Sequence, residues 1–227
     1  MRYLLTLLTV FVCTFATSAQ LHLGLRASYG FSDIIKGDDL ESIADQFTNA
    51  SSLSFGAILE YRISSALSLR SGAEINRRGT TVAGAQRTEI FGVVVPISSE
   101  AKTRFTYLDI PLMAQLTLPT EALLQPYLFF GPTFGFATQG NVRTTSTGTT
   151  SGNLMTSVID LNEIAYDGFH VAAKAGLGAR LNLGDGFAAF VEGRFEQSLT
   201  EPYNVASVGV MTGYRGVQFG AGFMFAL

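Results

Sequence analysis

The sequence predicts an all-β protein, an eight-stranded antiparallel transmembrane β-barrel with four long extracellular loops and three short periplasmic turns. Three observations carry that prediction. The last eleven residues, VQFGAGFMFAL (217–227), are apolar at every odd position, with Gln, Gly, Gly, Met and Ala between them, as in a strand with one face in lipid. Seven earlier segments alternate in a similar way. Long and short connections then alternate strictly along the chain, which places all the long ones on one side.

The front of the chain reads as a secretory signal. Arg2 gives a positive start, Leu4 to Phe15 an apolar stretch too short to span a bilayer, and Thr17, Ser18 and Ala19 a small-residue cleavage site. Cleavage after Ala19 leaves a mature domain of residues 20–227. Cys13 does not read as a lipidation site, because bulky Val12 precedes it where a small residue is needed. The mature chain then holds no cysteine, and 14 basic residues face 18 acidic ones. That balance gives no reason to expect a nucleic-acid partner.

The chain is 47% hydrophobic, with 24 Gly and 18 Phe. Past the signal no apolar run approaches the ~20 residues of a transmembrane helix. Because backbone polar groups must pair with one another in hydrocarbon, a closed barrel is the remaining way to cross.

The first strand, 21–31, puts Leu21, Leu23, Leu25, Ala27, Tyr29 and Phe31 on one face and His22, Gly24, Arg26, Ser28 and Gly30 on the other. The second, 53–63, sends Leu53, Phe55, Ala57, Leu59, Tyr61 and Ile63 outward and Glu60 and Arg62 inward. The third is expected over 67–76, with Arg70 and Glu74 inward, and the fourth over 103–118. In the fourth, Phe105 and Tyr107 share a face opposite Leu108, Ile110, Leu112, Ala114 and Leu116, which suggests a bulge near Tyr107 and Leu108. The fifth, 126–138, directs Leu128, Phe130, Phe134 and Phe136 to lipid; like the fourth with Pro111, it carries an internal proline, Pro132. The sixth, seventh and eighth are expected over 169–183, 187–198 and 214–227.

The connections at 64–66, 119–125 and 184–186 are short. Those at 32–52, 77–102, 139–168 and 199–213 are long and polar, so both ends of the mature chain are expected in the periplasm. Residues 139–153 read as an exposed, mobile Thr/Ser/Gly-rich segment. Apolar residues from Asp38 on suggest a short amphipathic helix over the rim, and 154–165 suggests another. No periplasmic domain is expected after Leu227. A soluble lipocalin-like barrel would show the same periodicity with its faces exchanged; the signal, the last strand and the loop asymmetry argue for the membrane form.

Inward positions carry Arg26, Arg62, Arg70, Lys174, Arg180 and Arg194 against Glu60, Glu74, Asp109, Glu192 and Glu196. Arg26, Glu74, Asp109, Lys174 and Glu192 fall near mid-height. Side chains fill the interior of an eight-stranded barrel, and charges persist there only when paired, so these eleven residues are expected to form a lumen charge network. The inward glycines, Gly24, Gly56, Gly72, Gly176, Gly178, Gly220 and Gly222, either leave wet gaps or let the sheet curve. With Tyr127 and Phe129 facing the same interior, occlusion is the favoured expectation.

Hydrolysis would need a histidine beside an activated serine and a carboxylate. His22 and His170 fall at opposite ends of the wall, and no serine lies two positions along from His170. No HxH or cysteine cluster offers a metal site. No catalytic residue, metal ligand or cofactor is expected.

Tyr107-Leu108-Asp109-Ile110-Pro111-Leu112, followed by Pro126-Tyr127 and Gly131-Pro132, resembles the PorT-like family of outer-membrane β-barrel domains of Bacteroidetes-type bacteria. Most such domains have no assigned activity, and the namesake is associated with type IX secretion and gliding-linked export. The terminal Leu227 departs from the aromatic residue that often ends such barrels, though Phe223 and Phe225 lie close enough to serve recognition by the barrel-assembly machinery. The resulting expectation is a non-enzymatic barrel of the outer membrane, embedded in its lipid, structural or interactive in role, with a protein partner at the extracellular loops and a link to secretion or envelope assembly. The alternative is a narrow channel for small solutes or ions.

Overall fold

The computed structural model describes residues 21–35, 47–90, 93–120, 122–147, 153–159, 168–184, 186–200 and 213–227. The expected signal (1–19) and the expected helix after Asp38, apart from Phe47, lie outside these residues. Within them the chain forms β1 (Leu21–Ile34), β2 (Phe47–Arg62), β3 (Leu67–Ile90), β4 (Val93–Thr117), β5 (Leu124–Thr147), β6 (Asn153–Ile159), β7 (Phe169–Gly184), β8 (Phe187–Ser198) and β9 (Tyr214–Ala226). All pairings are antiparallel. Eight strands close a ring in the order β1-β2-β3-β4-β5-β7-β8-β9, with β9 returning to β1. β6 stands outside the ring, paired with β5 from Gly140 to Ser146.

Strand periodicity sorts the side chains into two sets. Each wall strand sends out a large apolar residue that is at least half exposed: Leu25, Phe55, Ile75, Leu112, Leu128, Leu177, Val191 and Phe219. Charged residues on the opposite parity, Arg62 apart, are buried. A soluble barrel would hide the first set and wet the second, so the lipocalin-like inversion is ruled out; a wall of this kind requires hydrocarbon outside.

The three short connections sit where expected. Ser64 closes the first by accepting the Leu67 N–H at 3.0 Å on its hydroxyl. In the third, Gly184 and Gly186 adopt φ of 96° and 75°, the left-handed region where a side chain is strained.

Three expectations for the long connections are corrected. Residues 77–102 contain a hairpin, because β3 and β4 continue in register out to Ile90↔Val93. Residues 139–147 continue β5, and 153–159, which overlaps the start of the second expected helix (154–165), forms β6. Polarity suggested loops, but Thr and Val favour strands, and a hairpin beyond the bilayer needs no apolar face.

The bulge near Tyr107 is present, but it belongs to the other strand. Burial alternates in β4 without interruption, with Phe105, Tyr107 and Asp109 inward and Leu108 and Ile110 outward. The pairing steps from Thr106↔Gln139 to Tyr107↔Ala137, leaving Thr138 of β5 as the extra residue. Two inward aromatic residues created the impression of a parity slip.

Both internal prolines fall at gaps in the ladders. β3–β4 pairing skips from Ser71↔Leu112 to Glu74↔Asp109 at Pro111, and β4–β5 pairing skips from Pro111↔Thr133 to Ala114↔Phe130 at Pro132. A residue without an N–H is tolerated where no ladder bond is asked of it.

Candidate functional site: the charged lumen

Ten of the eleven charged residues expected in the lumen are buried: Arg26, Glu60, Arg70, Glu74, Asp109, Lys174, Arg180, Glu192, Arg194 and Glu196. Arg62 is the exception, its side chain 29% exposed near the short-turn end, 3.4 Å from Glu60.

The charges form three linked layers. In the layer nearest the short turns, Glu60 pairs with Arg180 and accepts from Gln115 at 3.3 Å. In the middle, Arg26 bridges Glu74 and Glu192, the latter at 2.5 Å. Arg70 and Arg194 add bonds of 2.8 Å to Glu192 and Glu74 respectively, and the Tyr127 hydroxyl donates to Glu192 at 3.1 Å. Toward the long hairpins, Arg78 pairs with Asp109 and with Glu196 at 2.5 Å, and Lys174 lies 3.2 Å from both carboxylates. Lys174 also stands 4.0 Å from Glu74, which joins this layer to the middle one. The five residues expected together at mid-height thus divide: Arg26, Glu74 and Glu192 share one layer, Asp109 and Lys174 the next.

The network is built from contacts across the ring. Arg26 and Glu192 come from β1 and β8, Arg70 from β3, Arg180 from β7. Long side chains from a narrow wall meet on its axis, where each guanidinium offers several donors and each carboxylate several lone pairs. Neutral groups complete the bonding: Asn76 donates to Asp109 at 3.1 Å, Gln218 accepts from Arg194 at 2.8 Å, and Ser54 accepts from Arg194 at 2.7 Å.

Aromatic rings fill what the inward glycines vacate. Tyr127 pairs across strands with Gly178, Phe129 with Gly176 and Phe190 with Gly222, and a methyl group added at any of these glycines would overlap its ring. Each ring lies over its bare neighbour, a device that pins register and curvature together. Arg70 stacks between two of them, its guanidinium carbon 5.3 Å from the Phe129 ring centre and 5.4 Å from that of Phe190. Among the described residues, small cavities of about 10 Å³ lie against Arg78 and Glu196 and against Arg26 and Glu74, each with room for about one water.

Several participants escaped the sequence reading. Arg78 was missed because the third strand was ended at Asn76; continuing the parity of Glu74 and Asn76 by two residues reaches it. His170 is fully buried, 2.7 Å from Arg78 and edge-on to Tyr107 at 4.7 Å. Among the family-motif residues, Tyr107, Asp109 and Tyr127 are in the lumen, Leu108, Ile110 and Pro126 on the lipid face, and Pro111, Gly131 and Pro132 at the ladder gaps. Among the described residues no group of three His, Cys, Asp or Glu side chains is placed to hold a metal ion.

A family model for an outer membrane protein beta-barrel domain matches residues 15–204. The chain belongs to that family. The outer-membrane barrel family includes this chain at low similarity to solved structures. Neisserial surface protein A is 12% identical, with TM-score 0.45 over 90% of this chain and 97% of that one. A major outer membrane protein from Thermus thermophilus is 9% identical, with TM-score 0.44 over 90% and 99%. OprG from Pseudomonas aeruginosa is 16% identical, with TM-score 0.42 over 92% and 95%. No curated protein matches. The protein is an eight-stranded barrel of the outer membrane.

Proposed function

We propose that this is a non-enzymatic barrel whose lumen is closed by its own side chains and whose role, structural or interactive, is carried by the hairpins beyond its long-connection rim. The observation behind the closed lumen is the three-layered ion-pair network, which takes up the axis of the barrel among the described residues. Residues 1–19 act as a cleaved signal, residues 20–227 as the barrel domain, and β9, with Phe223 and Phe225 on its exposed face, as the strand read by the assembly machinery. The paired extensions of β3, β4, β5 and β6 support a protein partner on the extracellular side. The PorT-like motif supports a place accessory to secretion or envelope assembly.

Conductance of single barrels in planar bilayers tests the closed lumen. The expected result is silence at ordinary ionic strength. Discrete steps whose ion preference changes in Glu74→Gln would establish the narrow channel instead.

A further inference from the structure

On the lipid-facing parity of the wall, the charged residues among the described side chains are Asp33, Arg77, Arg104 and Arg215, and all stand toward the long-hairpin end. Asp33 faces Arg215 at 3.9 Å across β1 and β9. Arg77 and Arg104, on β3 and β4, have no such carboxylate among the described residues. The two are diagonal neighbours, since Arg77 pairs with Thr106 and Arg104 with Gly79. Gly79 carries no side chain, and the Arg104 guanidinium crosses β3 over it to donate to the Ser51 hydroxyl on β2 at 3.1 Å. Ser51 lies two residues from Leu53, which is the cross-strand partner of Arg77. Two exposed guanidinium groups are thereby brought to one patch of wall, with a hydroxyl beside them.

Beside Arg77 the same face presents Leu53, and below it, toward mid-membrane, Ile75 and Leu108, all exposed. A charge on the lipid face is tolerated only close to the headgroups, so Arg77 and Arg104 mark that level. Two like charges held together with no counter-charge among the described residues favour an anion. Guanidinium groups match phosphate oxygens in paired, forked bonds.

We infer that Arg77, Arg104 and Ser51 form a site for the phosphate of an anionic lipid headgroup, whose acyl chains lie on Leu53, Ile75 and Leu108. The site needs the barrel in a bilayer and does not depend on how the lumen is read. The apolar floor beneath the arginines commits it to a lipid phosphate over free phosphate, which has no chains to place there.

The test is native mass spectrometry of the detergent-folded barrel titrated with phosphatidic acid or phosphatidylcholine. The expected result is that phosphatidic acid is retained at least fivefold more than phosphatidylcholine, and that Arg77→Gln/Arg104→Gln lowers it to the phosphatidylcholine level. Arg215→Gln, already offset by Asp33, is expected to keep the preference. Equal retention of the two lipids, or a preference that survives the double substitution, would overturn the site. So would displacement of phosphatidic acid by an equal concentration of inorganic phosphate, which would make the free anion the ligand. Loss of the electrophoretic heat shift would reveal a misfolded double variant; Arg77→Gln alone then replaces it, with the same preference expected to fall at least twofold.

Discussion

Glu192 holds arginines from two other strands, Arg26 at 2.5 Å and Arg70 at 2.8 Å. Truncating one member of a buried charge group leaves its partners desolvated and unanswered, at a cost of about 3–5 kcal/mol. Glu192→Ala is therefore expected to lower the urea midpoint of barrel unfolding strongly, read by circular dichroism because the chain has no tryptophan. Arg62→Ala, which removes a partly exposed charge, is expected to cost about 1 kcal/mol or less. Similar midpoints for the two variants would refute a stabilising role for the middle layer. Gly176→Ala drives a methyl group into the Phe129 ring and the Gly193 carbonyl oxygen, and such overpacking is expected to cost about 1–3 kcal/mol; an unchanged midpoint would show that ring and strand both give way freely. The positions of Arg26 and Glu192 are legible because each falls on the inward parity of a strand whose outward residues are apolar. The role of Gly176 was not, since a glycine reads alike whether it opens a gap or receives a neighbouring ring.

At the scale of elements, the outer parts of β3 and β4 pair mainly with each other, from Ala83↔Glu100 to Ile90↔Val93. Replacing residues 86–97 with Asn-Gly would join the Ala85↔Ser98 pair through a two-residue turn suited to a twisted hairpin. The shortened barrel is expected to keep its gel mobility shift and an unfolding midpoint close to that of the parent. A barrel that no longer folds would show the hairpin to be part of the wall's stability and not an appendage. The membrane segments were legible because lipid imposes a strict period of two on the outward face. Their extensions were not, because beyond the bilayer both faces meet water and the pattern that marks a strand disappears. The same logic explains Phe105 and Tyr107: lipid demands apolar side chains, but the lumen accepts any that fill it, so hydrophobicity alone could not say which way an aromatic residue points.

The whole molecule is a closed ladder, and its compactness is expected to outlast detergent. Unheated protein from the outer-membrane fraction should migrate differently from boiled protein on a denaturing gel. Identical mobility, or recovery in the soluble periplasmic fraction, would contradict the membrane barrel. Closure also fixes the order of events by which the molecule forms. The pairs Arg26–Glu192, Arg70–Glu192 and Arg180–Glu60 join residues separated by 166, 122 and 120 positions, so they cannot form within any one hairpin. A sheet inserted open would carry these groups into hydrocarbon before their partners arrive, and long-range closures of this kind are slow. Seating β9 on β1 and neutralising the lumen are therefore expected to occur together: refolding into detergent should show one phase by circular dichroism and by gel shift, and separate phases would contradict the coupling.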